Sequence, residues 1–404
     1  MDSNNCVSSS WIMIVFMLTL SIWKVDVHGQ STNFIVTDFG AVADGATDSR
    51  QAFLDAWKRA CEADGGVVSV PQGTFLVSGA AFEGPCNGQT AFSVDGTIVA
   101  TDDPTIDQDY WITFHKVDGL TVSGYGVFDG NGASSWSSCK GVKECNPLPP
   151  MTMKINYVTN SAIHDINLVN SKIFHLLIHE SQNLNVYNLS ISAPEDSPNT
   201  DGIHTGNSNG VNIFDSHIAT GDDCISMGDG SRNVNISGVW CGPGHGISIG
   251  SLGKYEGEED VSGITVRNCT LTNTDNGLRI KTWAPSLSST VVSDVTYSDI
   301  NVNNVKNPII IDQYYCPGGS CSHEGESSVA IKGVKFINIR GSSATETSVN
   351  IQCSKSYPCQ DIEMRGLELT FDGQPTTALC SSADGIFQGT DQVPSQCSSQ
   401  YPCF

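Results

Sequence analysis

Asp201, Asp223 and His245 follow one another at steps of 22 residues, with Asp222 beside the second of them. The apolar residues Ile203, Ile225 and Ile247 keep the same step two positions later. The three segments read Asn199-Thr-Asp-Gly-Ile-His204, Gly221-Asp-Asp-Cys-Ile-Ser226 and Gly244-His-Gly-Ile-Ser-Ile249. A repeat of this length is about one coil of a parallel β-solenoid, and strands on successive coils lie about 4.8 Å apart. The spacing therefore predicts that Asp201, Asp222, Asp223 and His245 converge on one patch. Carboxylates so close repel one another, and proteins gather them for acid–base chemistry or for a metal.

The segment that follows, Gly277-Leu-Arg-Ile-Lys-Thr282, alternates Leu278 and Ile280 with Arg279 and Lys281. With the apolar pair on the core, both cations face outward. Ile280 lies 33 residues after Ile247, one coil plus an inserted loop, which predicts the cations on the coil next to His245. Arg grips a carboxylate through two N–H groups and Lys adds a point charge. Asp223 shares parity with Ile225, and His245 with Ile247, so strict alternation would turn both inward. They must sit in the turns before their strands, where Gly221 and Gly244 re-aim the backbone.

Three rival readings are weaker. Gly246-Ile-Ser-Ile-Gly250 matches G-x-S-x-G, but that motif needs a strand, a turn and a helix, and no helix pattern follows. Gly242 and Gly244 imitate a dinucleotide loop without its βαβ setting. Asp201, Asp222 and Asp223 offer oxygens to calcium, which the neighbouring Arg279 and Lys281 oppose.

The elements that must position these residues are legible as repeats. The apolar pairs Leu184/Val186, Val211/Ile213, Val234/Ile236, Ile264/Val266, Val295/Tyr297, Val334/Phe336 and Ile362/Met364 recur at steps of 23 to 39 residues. Excess length falls in turns such as Tyr255-Glu-Gly-Glu-Glu-Asp260. A β-sandwich would turn every 8–12 residues without such register. Near the start, Ala52, Phe53, Ala56, Trp57 and Ala60 have helical spacing, with Thr47 or Asp48 as N-cap. One amphipathic helix before a long β region suits a cap over the open end of a solenoid. The tail after Gly373 is less regular and is expected to fold back as loops.

Of 404 residues, 39% are apolar, 16% are charged and 40 are Gly. The net charge is −23, which disfavours nucleic acid and anionic membranes as partners. Trp11 to Trp23 is a short apolar stretch placed like a secretory h-region, with a cut near Val27-His28-Gly29. The expected organisation is a signal peptide over 1–29 and one domain over 30–404. Removing Cys6 with the signal leaves 14 of the 15 cysteines, a density that fits an oxidising compartment. Cys139/Cys145, Cys316/Cys321 and Cys353/Cys359 are placed to close small loops. Cys224 and Cys241 flank the patch on adjacent coils, and Cys269 falls inside a strand pattern as a candidate free thiol. Sequons at Asn188, Asn235 and Asn268 fit an exported glycoprotein.

The ordered set N-T-D at 199–201, G-D-D at 221–223, G-H-G at 244–246 and R-I-K at 279–281 resembles the four signature motifs of the polygalacturonases, family 28 of the glycoside hydrolases. The likeness runs from about Asp38 to the C-terminus. Ala193-Pro-Glu-Asp-Ser-Pro198, Cys241-Gly-Pro-Gly-His245 and Ser251-Leu-Gly-Lys-Tyr255 are most similar to the plant exo-acting branch known from pollen. The resemblance implies an all-β, single-stranded, right-handed parallel β-helix of the pectin-lyase-like kind. It implies hydrolysis, with inversion, of α-1,4-linked galacturonic acid in pectin by a secreted, monomeric cell-wall enzyme that needs neither cofactor nor metal. Asp222 would be the general acid, Asp201 and Asp223 would position and deprotonate water, and His245 would tune the acid. Arg279 and Lys281 would hold the galacturonate carboxylate; Tyr315, rather than Tyr314, would contact the sugar, and Asn199 would assist binding. Endo action is the alternative, followed by a calcium-dependent pectate lyase and a non-catalytic wall-binding β-helix. Inversion requires acid and base carboxyls about 6.5–9.5 Å apart, and mutual repulsion should raise the acid's pKa and favour acidic pH.

Overall fold

In the computed structural model the described residues are 32–102, 110–137, 148–317, 321, 325–387 and 392–399. The expected signal segment, Cys6 and the Cys139/Cys145 pair lie outside them. Among the described residues no helix is long and apolar enough to cross a membrane. Residues Ser31–Phe404 form one compact unit.

That unit is a parallel β-helix. Among the described residues twelve strands stack into one sheet, from Ala80–Glu83 to Ser398–Ser399. A further 24 strands form two columns that share long strands near the C-terminal end. All seven apolar pairs read from the sequence stack in register, Leu184 on Val211, Val234, Ile264, Val295, Val334 and Ile362 in turn. Their side chains are buried, because an inward column of identical pleat parity lies over the same column one coil away. Between the two columns the chain turns on a single left-handed residue, Asp165, Asn188, Asp215, Gly238, Asn268, Asp299 and Asn338 in successive coils, with φ of 49–64°. Asn and Asp tolerate that region where most residues do not. They also bond across coils, Asn338 donating to Asp299 at 3.0 Å.

Helix Arg50–Glu62 buries Ala52, Phe53, Ala56, Trp57 and Ala60, as its spacing predicts. It packs onto the first coils through Phe53 on Phe75 and Trp57 on Phe82 and Phe114, with ring centres 5.3–6.0 Å apart. Its N-cap is Ser49, neither Thr47 nor Asp48; the Asp48 carboxylate still accepts the Arg50 N–H at 3.1 Å, so its bond comes one residue after the cap. The tail departs from expectation. Thr377–Ser381 and Ala383–Phe387 extend the sheets by a further coil, although their alternation is too weak to reveal it.

Disulfides join Cys316–Cys321 and Cys353–Cys359, the small loops read from the sequence, and Cys224–Cys241 beside the acidic patch. Cys61–Cys86 and Cys380–Cys397 add long-range links. Cys269 is a free, buried thiol whose burial pushes its pKa up to about 11. Asn188, Asn235 and Asn268 are all exposed.

Candidate active site

The patch forms on the outer face of the twelve-strand sheet. Ile203 pairs with Ile225, Ile225 with Ile247, and Ile247 with Leu278. The last step differs from the expected Ile280 by two residues. Leu278 and Ile280 share parity and are both apolar, so alternation cannot choose between them. Arg279 consequently stands directly beside Ser248.

Asp201, Asp223 and His245 occupy the turns that precede their strands, which resolves the parity conflict. Gly244 there adopts φ 147°, a region L residues rarely enter. Gly221 serves differently: a Cβ would meet the Ser197 carbonyl oxygen at 2.0 Å, so only glycine lets the two turns touch.

The three carboxyls are held individually. Asp223 accepts Lys281 Nζ at 2.6 Å and Ser248 Oγ at 2.7 Å. Asp201 accepts Ser226 Oγ at 2.8 Å, and His204 Nδ1 lies 2.7 Å from the same hydroxyl. The Ser226 proton goes to Asp201, so His204 Nδ1–H donates to Ser226. Asp222 accepts its neighbour's N–H from Asp223 at 2.8 Å and Asn199 Nδ2 at 3.3 Å, and its Oδ1 lies 3.0 Å from His245 Nδ1. The far nitrogen of His245 sits 3.7 Å from Asp275, which in turn pairs with Lys306. Tyr315 covers the cations, 5.0 Å from the Arg279 guanidinium and 5.4 Å from the Lys281 ammonium, whereas Tyr314 is exposed.

Every sequence-predicted site residue therefore lies in or beside this cluster. Ser226 and Ser248 are not anticipated in the sequence as carboxylate partners, nor is His204 as the partner of Ser226. A signal existed: each lies three residues after a member of the 22-residue series, and the three stack in one column. Ser248 lies in strand Ile247–Leu252 and spends its hydroxyl on Asp223, unlike a nucleophile elbow. Asp222, Asp223 and His245 bring ligand atoms within 4.8 Å of one another, but the Lys281 ammonium already neutralises Asp223, an arrangement adverse to a dication.

Electrostatics divides the carboxyls in an unexpected order. Burial, then the charges of Asp222 and Asp223, raise the pKa of Asp201 well above the ordinary carboxyl range. Burial pushes Asp222 the same way, but the hydrogen bond and charge of His245, with Lys281, outweigh it and hold Asp222 low. Burial opposes charge on His245, yet its bond to Asp222 and the nearby carboxylates raise its pKa. Asp201 is thus the carboxyl pushed towards holding a proton and Asp222 the one held towards ionisation, the reverse of what repulsion alone suggested. Lys281 stays charged because Asp223 and Tyr315 overcome the cost of burial.

A raised carboxyl pKa means that the unfolded chain releases the Asp201 proton at lower pH than the folded one. Its contribution is complete below the ordinary value of 3.8 and is lost as pH rises through the folded pKa. Asp201→Asn should consequently gain stability relative to the native chain as pH climbs from about 4 to about 7. Urea midpoints measured across that range test this, and parallel curves for the two proteins would refute it.

Such a site on such a fold defines a polysaccharide-cleaving hydrolase. Residues 63–394 match the profile of glycosyl hydrolases family 28, and 34–85 also match that of the rhamnogalacturonase A/epimerase, pectate lyase-like proteins. Over 403 residues the chain is 42% identical to a polygalacturonase of Gossypium barbadense, spanning 98% of this chain and 97% of that one. It is 45% identical over 358 residues to an exopolygalacturonase of Oenothera organensis, 87% of this chain and 98% of that one. The crystal structure of endo-xylogalacturonan hydrolase from Aspergillus tubingensis has the same fold, with a TM-score of 0.77 over 91% of this chain and 99% of that one at 22% identity. The chain belongs to glycosyl hydrolases family 28.

Proposed function

We propose that this hydrolase releases galacturonic acid from the ends of de-esterified pectin chains, with inversion, after export and removal of residues 1–29. The observation that carries the substrate class is Arg279. Its Nε is buried without a hydrogen-bond partner, and among the described residues no carboxylate forms an ion pair with it. A guanidinium next to Ser248, whose hydroxyl bonds Asp223, and in no such ion pair matches a substrate that brings its own carboxylate.

In this reading Asp222 gives a proton to the glycosidic oxygen as the C1–O bond breaks. Water attacks C1 from the opposite face and loses its proton to the Asp201/Asp223 pair. His245, whose pKa the Asp222 carboxylate raises, lets the proton shift among the neighbouring carboxyls when substrate arrives. Lys281 and Ser248 hold Asp223 ionised, and Asn199 and Tyr315 complete the sugar's surroundings. The raised pKa of Asp201 favours a second assignment, in which Asp201 is the donor and Asp222 the base.

Product analysis on polygalacturonate tests the mode of action. Exclusive appearance of single galacturonate units is expected; a ladder of oligomers would establish endo action instead. An unsaturated, ultraviolet-absorbing product that vanishes with chelator would select a lyase, and no sugar release at all a binding protein.

A further inference from the structure

The loop after the G-H-G strand is built around one carboxylate. Glu258 accepts the backbone N–H groups of Gly253, Lys254 and Tyr255 at 2.5, 2.9 and 2.9 Å. The Leu287 N–H donates to the Gly253 carbonyl at 2.7 Å, which docks this loop on its neighbour. Glu258 is thereby committed to backbone, and among the described residues no carboxylate forms an ion pair with the Lys254 ammonium. Two rings hold that ammonium instead, Tyr255 at 4.9 Å and Trp283 at 5.8 Å from its nitrogen. Tyr255 is 61% exposed, so its ring remains open to a ligand.

This group is continuous with the active site. Arg279, Lys281 and Trp283 alternate along one face of strand Asn276–Trp283. Trp283 meets Tyr315 edge to face at 5.6 Å, and Tyr315 covers Arg279. In a chain with 20 cations against 43 acids, a half-buried ammonium set between two rings, one of which packs on Tyr315 beside the acidic patch, is configured for an anion. The ring faces suit the apolar side of a pyranose.

We propose that Lys254, Tyr255 and Trp283 form an outer subsite that binds the carboxylate and ring face of a further uronic acid unit, beyond the one that Arg279 would hold. The inference rests on the hydrolase reading above and adds a length- and ester-dependence to it. A chain whose neighbouring unit is a free uronate binds through both places, and one whose neighbouring unit is a methyl ester loses the second.

Lys254→Met tests this, with Tyr255→Ala as an independent variant, by steady-state kinetics on galacturonate oligomers of increasing length. KM is expected to rise less than twofold on the dimer and roughly five- to tenfold on long de-esterified chains, with the difference shrinking in high salt. An equal KM at every length, or an equal rise on the dimer, would overturn the subsite. Native protein that releases no galacturonate would overturn the hydrolase reading itself; normal native turnover with an unaltered variant would remove the subsite alone.

Discussion

Asp222→Asn should lower kcat on polygalacturonate by about 10²–10⁴-fold, the usual contribution of a positioned acid or base, while leaving the fold intact. The substituted amide keeps its oxygen where Oδ1 now accepts the Asp223 N–H and faces His245. Its NH₂ then meets Asn199, whose own amide can turn to present oxygen. Circular dichroism and urea midpoints should therefore match the native protein. The substrate decides which step has been lost. An aryl galacturonide with a good leaving group needs no proton donor, so it should recover most of the lost rate if Asp222 is the acid. Persistent inactivity on that substrate, with recovery in Asp201→Asn instead, would exchange the two assignments. Near-native turnover of polygalacturonate by Asp222→Asn would end the proposal for either role.

The second large effect separates two cations two residues apart. Lys281 is buried and gives Asp223 its ion pair at 2.6 Å, with Asp223 itself 1% exposed. Lys281→Met leaves that carboxylate buried without a counter-charge, which costs about 3–5 kcal/mol and abolishes activity together with stability. Arg279→Met removes a guanidinium with a buried, unbonded Nε and no ion pair among the described residues. Its urea midpoint should stay close to native, because the guanidinium gives up a ring contact with Tyr315 but breaks no ion pair. A charged contact to substrate is worth about 1.5–3 kcal/mol, so KM for polygalacturonate should rise roughly ten- to hundredfold. Stability and substrate titrations on the two variants read the contrast directly. Equal destabilisation of both, or an unchanged KM in Arg279→Met, would contradict it.

Much of this architecture is written in one-dimensional order, because a solenoid converts sequence period into spatial neighbourhood. Seven apolar pairs at irregular steps proved to be one stack, and three polar residues at 22-residue steps proved to be one cluster. The helix that caps the first coils and the disulfide Cys224–Cys241 beside the cluster followed from the same logic. Where period weakens, so does inference. The last coil, from Thr377, was hidden by its poor alternation, and the register of Arg279 slipped by two because Leu278 and Ile280 are interchangeable in pattern.

Residue order alone established the fold, the convergence of Asp201, Asp222, Asp223 and His245, and the nearness of two cations, since coil length and side-chain parity govern all three. Folding in three dimensions decided how those charges are shared. Which carboxyl keeps the proton depends on burial depth and on partners such as Ser226, Ser248 and His245, whose distances no spacing encodes. Only the packed site distinguishes Lys281, spent on Asp223, from Arg279, which forms no ion pair among the described residues, because pairing requires contact within a few ångströms and sequence period resolves position no finer than a coil.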